Sequence, residues 1–93
     1  MTRWKVEFRP SADKQLRKLP REVQAAIITA LERLVLEQSN PEEPRASNLK
    51  KLAGRGEEWR MRVGDYRVIF ERQGDRLVIL VLNLGHRREV YRD

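Results

Sequence analysis

The stretch from Trp59 to Phe70, Trp-Arg-Met-Arg-Val-Gly-Asp-Tyr-Arg-Val-Ile-Phe, constrains the fold more than any other part of this 93-residue chain. Trp59, Met61 and Val63 alternate with Arg60 and Arg62, and Tyr66, Val68 and Phe70 alternate with Arg67, Ile69 and Glu71. A period of two marks a strand with one buried face, and Gly64-Asp65 suits a two-residue hairpin turn. Such a turn sets the register: Val63 faces Tyr66 on the apolar side, and Arg62 faces Arg67 on the other. Like charges placed opposite one another cost roughly 0.2–1 kcal/mol per pair. Solubility alone would account for scattered arginines, but three converging on one patch, Arg60 included, favour an anion site suited to phosphate.

The remaining elements supply what this hairpin packs against. Trp4, Val6 and Phe8 alternate with Lys5, Glu7 and Arg9, a half-buried strand closed by Pro10. Ser11 is placed to cap a short helix in which Ala12, Leu16 and Leu19 form the apolar stripe and Asp13 sits in the first turn, where the helix dipole favours it. Pro20 opens a longer helix with Val23, Ile27, Ala30, Leu31, Leu34 and Val35 at three- and four-residue spacing, ending near Ser39-Asn40-Pro41. Pro41 to Asn48 is a polar loop, and Leu49 to Leu52 fits either a helical turn or an extended approach to the sheet. Gln73-Gly74-Asp75 is a turn. Leu77 to Leu82 is apolar without alternation, so that strand is covered on both faces and central, with Asn83, Leu84 and Gly85 ending it. The expectation is one α+β domain over residues 1–93, with two N-terminal helices on a small, mainly antiparallel four-stranded sheet in the order β-α-α-β-β-β.

Charge narrows the class of partner. Twenty Lys and Arg against fourteen Asp and Glu leave a net charge of +6, which favours nucleic acid, an acidic protein or an anionic membrane. The absence of cysteine excludes a disulfide framework, a thiolate metal site and a thiol nucleophile. One histidine and scattered carboxylates give no metal-ligand set, so neither metal nor cofactor is expected. No apolar run follows the N-terminal charges and none is long enough to span a bilayer, so a soluble cytoplasmic protein is expected, without membrane association. Gly54-x-Gly56 lacks the rest of a dinucleotide fingerprint, and Trp4 and Trp59 occupy core positions of their strands.

The tail, His86-Arg87-Arg88-Glu89-Val90-Tyr91-Arg92-Asp93, holds the second group of candidates. A sharp bend at Gly85 would carry His86, Arg87, Arg88 and Tyr91 toward the arginine face. His86 is the one side chain of a type that ordinarily titrates near neutrality, the arginines stabilise anions, and Tyr91 can donate a hydrogen bond, act as an acid or base, or stack on a base. If such a site cleaves nucleic acid without metal, the substrate must bring its own nucleophile. RNA does so through its 2′-hydroxyl and DNA does not, which makes RNA the substrate if cleavage occurs.

Phe8-Arg9-Pro10-Ser11-Ala12-x-Lys14, Leu16-x-Lys18-Leu19-Pro20, Lys51-Leu52-x-Gly54, the Trp59–Arg67 stretch and Gly85-His86-Arg87-Arg88-Glu89-Val90-Tyr91 together resemble the RelE/ParE superfamily of bacterial and archaeal type II toxins. The resemblance covers nearly the whole chain and implies a RelE-like fold. It also implies a toxin that enters the ribosomal A site and cuts mRNA by metal-independent 2′-hydroxyl attack, inhibiting translation. By motif, Arg60 and Arg62 would bind RNA phosphate, Arg67 would neutralise it at the reacting centre, Arg87 would assist the leaving group and Tyr91 would orient or activate the 2′-hydroxyl; the tail adds Arg88 as a further phosphate-binding candidate and His86 as a further acid or base. Arginine stands on the strand where well-studied members carry lysine, which keeps phosphate binding but argues against proton loss there. A cognate, acidic antitoxin and a toxin–antitoxin hetero-oligomer are implied as well. The alternatives within the family are a ParE-type inhibitor of DNA gyrase and an inactive member that only binds its antitoxin.

Overall fold

The computed structural model describes residues 4–39, 49–52, 54 and 56–86. Its elements are β1 (Lys5–Phe8), α1 (Pro10–Arg17), α2 (Arg21–Ser39), β2 (Leu49–Lys51), β3 (Glu58–Val63), β4 (Tyr66–Gln73) and β5 (Val78–His86). The α+β class and the two N-terminal helices agree with expectation. The sheet has five strands rather than four, in the order β1-β5-β4-β3-β2. The additional strand is β2, whose three residues pair antiparallel with β3 and resolve the Leu49–Leu52 alternative as extended. A period of two cannot declare itself over three residues, which is why this strand escapes a pattern search. β1 joins the far edge parallel to β5, so the sheet is mixed.

Pro10 rather than Ser11 starts α1. Its fixed φ suits the first helical position, Arg9 holds the N-cap in extended geometry with no side-chain cap bond, and Ser11 falls inside the first turn. Asp13 lies in that turn and pairs with Arg17 at 3.2 Å on an exposed face, where such a bridge contributes little. α2 starts where the Gln24 amide donates to the Pro20 carbonyl at 3.0 Å, and the Gln24 side chain donates to the Leu19 carbonyl at 2.8 Å. The apolar stripes of both helices, including Ala12, Leu16, Ile27 and Leu31, close over Trp59, Met61, Val68, Phe70, Ile79, Val81 and Leu84. Burying a side chain such as Ile27 or Phe70 contributes roughly 1.5–3 kcal/mol, so one face of the sheet carries the core.

The last strand departs most from its sequence reading. Leu77 does not begin it: at φ 56 it occupies the left-handed region at the end of the preceding turn, and the strand runs from Val78 to His86. It is interior, flanked by β1 and β4, although β4 rather than β5 is the middle strand. Ile79 and Val81 face the helices, while Leu82 joins Ile69, Leu80 and Leu52 in a small cluster on the other face. Gly85 is not a bend. It lies within the strand, opposite Arg67, and is buried.

A β-bulge explains why alternation fails here. Phe70 pairs with Val81, but the next residue, Ile69, pairs with Asn83, leaving Leu82 as the extra residue. Before the bulge the odd-numbered residues Ile79 and Val81 face the core; after it the even-numbered Leu84 does. Asn83 and Gly85 are thereby turned to the opposite face. Bulges re-aim side chains in this way without breaking the sheet.

Candidate nucleic-acid interface

The β3–β4 hairpin has the register its sequence implies: Val63 opposite Tyr66, and Arg62 opposite Arg67. Gly64 takes φ 59 and Asp65 does not leave the negative-φ range, the pattern of a two-residue turn with glycine first. Tight turns of this kind hold the flanking pairs in register, so Arg62 and Arg67 are fixed across from one another.

Arg67 is held rather than free to swing. Its guanidinium donates to the carbonyls of Gly64 at 3.2 Å and Tyr66 at 3.1 Å. The partial negative charge of those carbonyls offsets the repulsion from Arg62, which stands exposed. The Nε of Arg67 is buried and meets no hydrogen-bond acceptor among the described residues. A planar cation pinned in this way offers fixed positive charge to an anion on this face.

Lys50, which carries no signal of its own in the sequence, pairs with Arg60 and extends the basic group to the edge strand. Two rows therefore cross the sheet at the hairpin-turn end of this face: Lys50, Arg60, Ile69 and Asn83, then Arg62, Arg67 and Gly85. The opposite end of the same face carries acid. Glu58 stands opposite Glu71, and Glu7 on β1 pairs with Lys5 at 3.6 Å and Arg76 at 3.4 Å. The face is cationic at the hairpin-turn end of the strands, whereas at the other end carboxylates and cations are mixed, so a polyanion is drawn to the first end.

His86 is not part of this group. It lies directly opposite Tyr66, and the two rings meet edge to face at a centroid distance of 5.6 Å. Tyr66 belongs to the helix-side core, so the alternation that turns Arg67 and Gly85 outward turns Tyr66 and His86 inward. Arg87, Arg88 and Tyr91 lie outside the described residues. On the helix side, a groove of about 470 Å³ between α2 and the sheet edge is lined by Ala25, Ala26, Thr29, Leu49 and Met61, among others. It takes no part in the anion site, from which the sheet itself separates it.

The model of the ParE toxin of type II toxin–antitoxin systems matches residues 6–91. The chain belongs to the RelE/ParE superfamily of type II toxins. Solved structures agree with this. The archaeal RelE of the RelE–RelB complex from Pyrococcus horikoshii is 30% identical, with 96% of this chain and 99% of that one covered at a TM-score of 0.73. The antitoxin–toxin complex RelB–RelE from Methanococcus jannaschii gives 27% identity, 90% and 93% coverage and a TM-score of 0.68. The RelBE2 complex from Mycobacterium tuberculosis, at 24% identity, 89% and 96% coverage and a TM-score of 0.71, shares the fold. No curated protein sequence matches the chain. Among the described residues of this RelE/ParE toxin, no helix is long and apolar enough to cross a membrane.

Two members of the basic face escape a pattern reading for different reasons. Lys50 sits in a strand too short to show a period. Asn83 sits beyond a bulge, and the only local signal of it is that Leu82 and Leu84 cannot both be core residues of a regular strand with Ile79 and Val81.

Proposed function

We propose that this RelE/ParE toxin is a RelE-type endoribonuclease that cuts mRNA in the ribosomal A site without a metal ion. The observation that carries the reading is the gathering of Arg60, Arg62 and Arg67, with Lys50, on one end of a rigid sheet face while acidic side chains occupy the other. Phosphoryl chemistry needs fixed positive charge where negative charge develops, and groups built on strands supply it without reorganising.

In the proposed reaction the 2′-oxygen of one nucleotide attacks the adjacent phosphorus as its proton is removed. The bond from phosphorus to the 5′-oxygen breaks, leaving a 2′,3′-cyclic phosphate and, once the departing oxygen is protonated, a 5′-hydroxyl. Arg60 and Arg62 hold the phosphate and Arg67 neutralises its non-bridging oxygens in the transition state. By resemblance Tyr91 orients or activates the 2′-hydroxyl and Arg87 assists the leaving group, and Arg88 next to it is a further candidate for phosphate binding. Arginine holds its proton too firmly to act as the base itself. His86, turned to the helix side, would have to act from the rim of the sheet at its junction with the tail.

A second reading is favoured by the description of the matching family model, a ParE toxin: a gyrase inhibitor that uses the same fold for binding alone. An acidic antitoxin suits the +6 charge, and the relatives from Pyrococcus horikoshii and Methanococcus jannaschii are each complexed with a RelB. We propose the same class of partner here, in a toxin–antitoxin hetero-oligomer, in the cytoplasm where ribosomes are met. The deciding experiment incubates the protein with programmed ribosomes and maps the message ends, beside a gyrase supercoiling assay. Cuts confined to the A-site codon support the nuclease. Uncut message together with inhibited supercoiling replaces it with the second reading, and inactivity in both assays leaves a member that only binds its antitoxin.

A further inference from the structure

The sheet ends in two edge strands that are not alike. β2 carries Lys50 and Lys51, both exposed, and lysines on an edge discourage pairing with another chain. β1 carries Lys5 and Glu7 on either side of Val6, and among the described residues no strand lies on its outer side. The Lys5 amide donates to the Leu77 carbonyl at 3.0 Å and the Arg9 amide to the Val81 carbonyl at 2.9 Å. Odd-numbered residues of β1 therefore address β5, and the backbone N–H and C=O of Val6 point to the open edge. The side chains of Trp4, Val6 and Phe8 pack against the helix-side core yet stay half-buried. Lys5 and Glu7 lie on the other face, where they pair at 3.6 Å.

We infer that the outer edge of β1 is a homodimer interface, in which β1 pairs antiparallel with β1 of a second copy about a twofold axis at Val6. In that register Lys5 stands opposite the partner's Glu7 and Glu7 opposite the partner's Lys5, while Trp4 and Phe8 meet the partner's Phe8 and Trp4 at the ends. Opposite charges directly across a strand pair attract and like charges repel, so twofold registers centred on Lys5 or on Glu7 are disfavoured by the residue at their own centre. The outward backbone groups of Val6 in the two copies exchange a pair of hydrogen bonds. A twofold contact is closed, because one self-complementary patch serves both partners. It also takes more of the Trp4, Val6 and Phe8 side chains out of water, which favours association. The net charge of +6 opposes it at long range, but at this edge Glu7 meets both Lys5 and Arg76. A strand of four residues buries less than a standard interface, so the dimer forms in a concentration-dependent way. Because the axis is perpendicular to the sheet, the arginine groups of both copies lie on the same side of one continuous sheet.

The inference goes beyond the nuclease reading and does not depend on it. Sedimentation equilibrium of the full chain over a rising concentration series should show monomer passing to dimer and no further. Lys5→Glu and Glu7→Lys each set like charges opposite one another on both sides of the axis, and each should weaken the dimer at least about tenfold. The double variant Lys5→Glu with Glu7→Lys puts opposite charges back across the axis and should recover most of the affinity. Val6→Pro removes the outward-facing donor, a change that an edge strand tolerates, and should give a folded monomer. Each variant is melted in parallel; if Val6→Pro melts early, the charge variants decide alone, since recovery in the double variant cannot come from a damaged fold. A parent that stays monomeric throughout overturns the inference. So does a dimer indifferent to the single exchanges, a double variant no better than either single one, or growth into species larger than a dimer.

Discussion

Replacing Gln15 by alanine should destabilise the protein by about 2 kcal/mol, and the reason lies at the junction of α1 with the sheet. β1 accompanies β5 only as far as Phe8 opposite Val81, after which the Arg9 amide donates to the Val81 carbonyl at 2.9 Å and the chain turns into α1 at Pro10. Beyond that point β5 has no strand on that side. The Leu84 amide is met instead by the Gln15 side-chain oxygen at 2.9 Å. Leu84 is 2% exposed, so water has poor access to the amide once the acceptor is gone. Stranding a buried donor costs about 1–3 kcal/mol; the middle of that range applies because Gln15 is itself only half-buried and admits partial rehydration. For a domain of this size each kcal/mol moves the melting temperature by about 4–8 °C, giving a fall of roughly 10 °C. Urea melts of the parent, Gln15→Ala and Gln15→Glu provide the measurement, the last because it keeps an acceptor oxygen at the same reach. Hydrogen exchange should quicken at the Leu84 amide. A Gln15→Ala variant within about 0.5 kcal/mol of the parent, with an equally protected Leu84 amide, would refute the argument.

Other perturbations separate strain, surface charge and chemistry. Gly64→Ala places a side chain at φ 59 and should cost about 1–2 kcal/mol, whereas Gly74→Ala meets only the flexible tip of Arg72 at 3.2 Å and should be milder; denaturant midpoints that reverse this order would contradict the turn geometry. Arg17→Ala removes an ion pair whose arginine is 77% exposed and should leave the midpoint nearly unchanged. Arg67→Ala should lower single-turnover cleavage on ribosomes by at least about tenfold, as expected when the transition state is deprived of one charge-assisted hydrogen bond, while the protein stays folded by circular dichroism. Tyr91→Phe and Arg67→Ala should each relieve growth arrest, and undiminished toxicity of both folded variants would remove these residues from the mechanism.

The hairpin and the helices are legible because each is a local periodic pattern with its own punctuation. Gly64-Asp65 specifies the turn, Pro10 and Pro20 mark helix starts, and the stripe from Val23 to Val35 can only be one face of a helix. The α1 cap falls at Arg9 instead of Ser11 because proline at the first helical position takes precedence over a serine that follows it. The bend expected at Gly85 is absent because a glycine can equally be the residue that leaves space opposite Arg67 within a strand. His86 parts from the arginines because a bulge changes which parity of residue faces the core.

What the sequence determined by itself was the pairing of Arg62 with Arg67, the apolar face beneath them and the basic character of the whole. These follow from contacts between residues a few positions apart, where spacing and turn chemistry suffice. The tertiary structure decided which strand lies beside which, that β2 brings Lys50 to Arg60, that Gln15 replaces the missing neighbour of β5, and that Asn83 shares a face with Arg67. Those relations join residues far apart along the chain. They are set by how two helices and five strands close over one core, which no local period encodes.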